Sequence, residues 1–133
     1  MRKIKELFLI LILLLFNISF ISGLMIDSFS TSPSKIKPGE TATIFITLRN
    51  NLENTINDLT ATIDLKNLPF APHNSGTSFT IAELKDRRTV NLEFTIISLY
   101  NAQSGIYKVP IIITYTEEDE KGVKSKKTID DII

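Results

Sequence analysis

His73 is the single histidine of the chain, in the stretch Pro72-His73-Asn74-Ser75. With Ser75 or Ser78 as nucleophile it is the one side chain that could act as general base in a Ser-His-Asp arrangement. Such a triad needs a rigid scaffold and an oxyanion hole. No nucleophile-elbow motif is present, so His73 reads as a loop residue between prolines and a glycine. Glu117-Glu118-Asp119-Glu120 offers hard oxygens of the kind Ca²⁺ takes. The run lacks the spacing that wraps a loop around an ion, and Lys121-Gly122 closes it as a solvated hairpin tip. Asp130-Asp131 lies too far along the chain to complete a cage. Lys85, Arg87 and Arg88 form a short basic cluster that could meet an acidic glycan or a lipid head group. So few charges at the start of a strand more simply keep it soluble. No catalytic residue, metal ligand or cofactor site is expected, and the chain does not read as an enzyme.

The N-terminus says where the rest goes. Arg2, Lys3 and Lys5 precede a run of 20 uncharged residues, Leu7 to Ile26, in a chain of 133. A basic start, an apolar run and small residues at Ser22-Gly23 make the pattern of a secretory signal. The same run is long enough to cross a bilayer as a helix. Residues 1–23 are therefore a cleaved signal or a retained N-terminal membrane anchor. In either case the lysines and arginine precede the run, and Asp27 is the first charge after it. That charge pattern exports the remainder, N-in and C-out, to the cell surface or the extracellular space. The exported part, residues 24–133, carries 12 basic and 14 acidic residues. That mild balance gives no basic footprint for nucleic acid. The chain has no cysteine, so the exported part must be held by its core.

After the apolar run the dominant signal has period two, the mark of half-buried antiparallel strands. Thr41–Arg49 sets Ala42, Ile44, Ile46 and Leu48 on one face, with Phe45 the exception on the other. Asp58–Lys66, Thr89–Ile96 and Ile106–Thr116 alternate likewise. Met25–Ser30 and Ser78–Leu84 are weaker strands, and Val123–Ile129 is a last one, protected as an edge by Lys124, Lys126 and Lys127. Turn-rich stretches at 38–40, 50–58, 68–76, 84–88, 101–105 and 117–122 separate them. The expected fold is all-β: one antiparallel sandwich of about seven strands, preceded by a hydrophobic N-terminal helix.

Four residues read as structural. Pro38 fixes φ at the second position of a turn, and Gly39 supplies the positive φ of a type II third position. That turn would deliver a short edge piece, Ser34–Lys37, into the strand beginning at Thr41. Gly105 precedes Tyr107, which is either a tyrosine-corner residue tying the end of the sandwich or a plain core tyrosine. Phe45, Ile97 and Ile112 fall out of pattern and suggest an apolar patch on one sheet.

The run PSKIKPGETATIFITLRN, from Pro33 to Asn50, resembles the start of Ig-like domains of archaeal S-layer-associated and other envelope proteins. It is similar to the CARDB type and to the α-galactosidase-associated Ig-like type. Leu68-Pro69-Phe70, the stretch Phe79–Leu84 and the run Gly105–Pro110 fit the same group, so the likeness covers nearly all of residues 30–129. Members are often tandem repeats or carry a C-terminal membrane segment. A single copy here makes the chain a minimal member or a piece of a longer one. The resemblance implies a non-enzymatic structural or adhesion module that packs against other envelope proteins. Two further functions compete. A carbohydrate-binding accessory domain needs exposed aromatic platforms. The chain has no tryptophan, and of its three tyrosines Tyr107 and Tyr115 take inward positions. An assembly factor pairing with a client needs a bare apolar edge strand, for which Met25–Ser30 is the one candidate.

Overall fold

The threonine–isoleucine alternation becomes a ten-residue strand, β2 (Thr41–Asn50), with Ala42, Ile44, Ile46 and Leu48 turned inward and buried. Its neighbour β6 (Thr89–Ser98) repeats the pattern with Leu92, Phe94 and Ile96. The computed structural model describes residues 23–133. Six other strands complete it: β1 (Leu24–Ser32), β3 (Ile56–Ile63), β4 (Phe70–Pro72), β5 (Ser78–Leu84), β7 (Pro110–Glu118) and β8 (Lys124–Ile132). The expected N-terminal helix, and with it the signal or anchor segment, lies outside the described residues apart from Gly23.

Two antiparallel sheets result, ordered β1-β2-β6-β4 and β5-β3-β7-β8. Their inward residues merge into one hydrophobic cluster: Ile44, Ile46, Leu48, Leu92 and Phe94 from the first sheet, Ile56, Leu59, Ile63, Ile111 and Ile113 from the second. This is a β-sandwich, and its core is what burying one face of each sheet requires. The outer faces are threonine-rich. Thr43 with Thr95, Thr60 with Thr80 and Thr62 with Ser78 share cross-strand hydroxyl hydrogen bonds of 2.8 to 3.2 Å.

Several boundaries differ from the sequence reading, each for a local reason. Among the described residues there are eight strands, because the turn-like stretch at 68–76 contains β4, paired with β6 through Phe70↔Ser98 and Pro72↔Ile96. Strand β3 begins at Ile56, inside the expected loop, and ends at Ile63. Asp58 takes φ +50°, and the register with β7 shifts there, so the period is broken by a bulge. Asp64 Oδ1 then accepts from Lys66 N at 2.9 Å and turns the chain away. Strand β7 begins at Pro110 and not at Ile106, whose side chain is almost fully exposed. Residues 34–37 form no strand. Instead β1 runs on to Ser32, and Ile36 packs against the core from a loop.

One end of the sandwich is held by a buried amide. Asn50 is fully buried at the end of β2. Its Nδ2 donates to the carbonyls of Asn54 (2.9 Å), Leu84 (3.0 Å) and Lys85 (3.2 Å), and its Oδ1 accepts from Leu52 N at 3.0 Å. Its own N–H donates to Arg88 O at 2.9 Å. Leu24 lies at this same end, paired with Asn50. Ile133 lies at the other, exchanging both backbone hydrogen bonds with Val109.

Two outcomes follow for stability. Asn50→Ala should cost about 3 kcal/mol, the order expected when buried carbonyls lose their donor. Asn50→Asp should cost no less near neutral pH, since a carboxylate would face three carbonyl oxygens, and less in mild acid, where protonation restores a donor. Urea denaturation under both conditions measures this, and an unchanged midpoint for Asn50→Ala contradicts the assignment. Burial raises the Tyr115 phenol above its ordinary 10.0, Glu117 adds to this, and a hydrogen bond with the Leu24 backbone pulls the other way. The folded state thus favours the neutral phenol. Its contribution is complete below the unfolded value and is lost as pH rises through the folded one. Tm should fall as pH rises above about 10, and Tyr115→Phe should remove part of that fall.

Candidate functional site

The Pro38-Gly39 turn is clamped to the end of β6. Gly39 has φ +84°, which the type II geometry needs at its third residue. Glu40 N donates to Lys37 O at 3.0 Å and closes the turn. The Glu40 carboxylate accepts from Lys37 N at 2.8 Å. Gly39 N donates to Ser98 O at 2.7 Å, and Ser98 N donates to Glu40 O at 2.9 Å. A Cβ on Gly39 would stand 3.1 Å from the Tyr100 ring. The loop after β6 is held in turn by Leu99 N donating to Pro69 O, by Ala102 N donating to Leu99 O, and by the Tyr107 hydroxyl donating to Gln103 O at 2.6 Å. The Tyr107 ring meets Phe70 edge-on, with centroids 5.1 Å apart.

These clamps leave a cleft of about 670 Å³ between the sheets. Buried Ala42, Ile44, Ile96 and Val109 line its inner part. Phe29, Thr31 and residues 33–38 line it on the β1 side, with Phe70 and residues 102–107 across from them. Of the four residues singled out from sequence, Pro38, Gly105 and Tyr107 line this cleft, and Gly39 sits next to Pro38. They come together only in the fold. Gly105 needs no left-handed φ, and a Cβ there would meet nothing within 4 Å. A second hollow of about 420 Å³, lined by Ile26–Phe29 and Asp131–Ile133, shares Phe29 and Ile133 with the first. The gap is therefore open where Ile26 to Thr31 of β1 face the C-terminal end of β8.

The chemistry-bearing residues do not converge. Ser75 Oγ donates to Thr95 O (3.1 Å) and accepts from Thr95 N (3.0 Å). Ser78 Oγ bonds to Thr62 Oγ1. Each serine is thus engaged with a strand, and no hydrogen bond joins either to His73, whose backbone N–H donates to Thr95 O. In the acidic run, Glu117 and Glu118 belong to β7. Asp119 Oδ1 accepts from Lys121 N and Val123 N and builds the hairpin with Gly122 at φ +77°. Among the described residues no three His, Cys, Asp or Glu side chains come together as metal ligands. The basic cluster lies at the Asn50 end. Arg87, at φ +57°, reaches Glu53 at 3.4 Å in an exposed pair. Phe45 and Ile97 are on the outer face of one sheet and Ile112 on that of the other, so they form no single patch. The alternation of each strand alone could not show which sheet it joins. Tyr107 lies in the loop before β7, half-buried in the cleft; Tyr115 is buried and Tyr100 open to solvent.

No family model and no curated protein matches the chain.

Gly39→Ala should destabilise the domain by about 1–2 kcal/mol, the cost of a left-handed conformation for a residue with a Cβ. Gly105→Ala should stay within about 0.5 kcal/mol of the parent. Tyr107→Phe should lose about 1 kcal/mol with its hydroxyl hydrogen bond. Equilibrium unfolding checks all three, and equal losses at Gly39 and Gly105 would contradict the turn geometry.

Proposed function

We propose that residues 24–133 are a non-enzymatic Ig-like module of the cell envelope, related to the S-layer-associated and CARDB type, displayed outside the membrane and acting by packing against other envelope proteins. The strand order supports the fold part of this reading. Strands β1-β2-β6 set against β3-β7-β8 follow the A-B-E and C-F-G order of Ig sheets, with β4 beside β6 in the D position. Export is carried by residues 1–23 and their charge pattern.

The observation that carries the functional part is the placement of exposed apolar side chains. Phe29 and Ile106, 56% and 97% exposed, stand with half-buried Ile36 around the cleft between the sheets. A concave surface with an apolar lining of this kind suits a protein contact. A carbohydrate-binding role has one observation in its favour: Tyr100 is 90% exposed at the same end. A flat sugar face needs such a platform, but a single ring is a small one.

The test is site-specific photo-crosslinking in the native envelope. A photoreactive residue at Ile106 or Thr31 should capture a protein of discrete mass, while one at Lys126, toward the opposite end of the sandwich, should not. Absence of protein adducts from both cleft positions, with adducts to glycan in their place, would overturn the packing role in favour of sugar binding.

A further inference from the structure

Four strands border the two sheets: β1 and β4 in one, β5 and β8 in the other. An unpaired edge exposes backbone donors and acceptors to any passing strand, and proteins blunt such edges. Three of the four are blunted here. The register of β1 shifts between Ile26 and Ser28, and Asp27 between them is paired with Arg49 at 3.2 Å. Strand β4 is three residues long and includes Pro72. Strand β8 carries Lys124, Lys126 and Lys127.

Strand β5 has none of these devices. Its sequence, SFTIAEL, holds no lysine and no proline over seven residues, and its register with β3 is unbroken from Ser78 to Leu84. Among the described residues it forms a ladder with β3 alone, and no backbone hydrogen bond leaves its other side. Phe79 and Ile81 pair with fully buried Ala61 and Leu59. Even so, Phe79 is 41% exposed and Ile81 only half-buried. The other sheet ends in β4 on this side, too short to cover them.

We propose that β5 is a pairing edge for a second copy of this chain, antiparallel about a two-fold axis at Ile81, joining two four-stranded sheets into one. The proposal goes beyond the packing role above, since it concerns another surface and a copy of the same chain. Charge and register favour a second copy. Centred on Ile81, the pairing sets Ile81 against its own counterpart, Thr80 against Ala82 and Phe79 against Glu83. The one charged side chain of the strand thus never meets itself, and like charges directly opposite would oppose pairing. The uncovered Phe79 and Ile81 of both copies fall on one face and bury each other. An isologous contact of this type needs no other molecule. The small patch makes a weak dimer in solution, which becomes populated when chains are crowded on one surface.

The chain has no cysteine, so a single introduced thiol reports position cleanly. Residues directly opposite in an antiparallel pair bring their Cβ atoms within disulfide reach. The full chain carrying Ile81→Cys, in its own membrane under mild oxidation, should give a disulfide-linked dimer on a non-reducing gel. Adding Ala82→Lys, at an exposed position with no side-chain hydrogen bond, should abolish the dimer without changing Tm. Lys126→Cys should give none. Monomer from both Ile81→Cys and Ala82→Cys overturns the proposal, as does a mixed disulfide to a different protein, which would make β5 a docking strand for a client. Either result leaves crosslinks from Ile106 unaffected, so failure of the pairing is distinguishable from failure of the packing role.

Discussion

The Asn50 amide is the interaction on which one whole end of the molecule depends. It sits at the last position of β2, in one sheet, and donates to carbonyls at the end of β5, in the other. In a chain without cysteine, its hydrogen bonds tie the two layers together at this end. A single side chain satisfies carbonyls from the β2–β3 connection and from the corner between β5 and β6. Both connections cross between sheets, and both would carry unmet polar groups if the amide were absent. Buried polar groups of this kind are costly when half satisfied and specify one arrangement when fully satisfied. No buried side-chain nitrogen or oxygen among the described residues lacks a partner.

The other end is organised chiefly by backbone hydrogen bonds. The Pro38-Gly39 turn exchanges two hydrogen bonds with Ser98, so the chain between β1 and β2 is fixed to β6, the strand on the other side of β2. Residues 33–38 are thereby held away from the loop at 102–107, which its own turns and the Tyr107 hydroxyl fix in place. The cleft is the space left between these two arms. Each arm is anchored separately, and no hydrogen bond joins one to the other.

The sheets were legible where side-chain type and period agree. Thr41 to Leu48, Phe45 apart, and Val90 to Ile96 alternate, and β2 and β6 form there; Ser78–Leu84 was legible with its observed bounds. Period failed where the backbone departs from it. Asp58 in a left-handed conformation breaks the alternation of β3 and hid Ile56 in an apparent loop. Residues 106–108 keep the alternation in type while the chain has not yet joined the sheet. Strand β4 contains a proline and is defined only by its partner β6. Asn50 is one of several asparagines in NNLENTIND, and nothing in its type marks it as the buried one. The cleft draws Phe29, Ile36, Phe70 and Tyr107 from distant parts of the chain. Its four turn and corner residues were visible singly, and their meeting was not. Neither was the order of strands, which makes β5 an edge and leaves Phe45 and Ile112 on opposite sides.

Leu24 and Ile133 stand at opposite ends of the sandwich, at the outer limits of two edge strands in different sheets. A force carried through both would run parallel to β1 and β8. It would slide each strand along its neighbour, loading the rungs of both ladders together. Strands peeled from one end give way one hydrogen bond at a time; strands sheared along their length resist as a unit. The directions of the first and last strands thus suit a body that transmits tension along its own long axis.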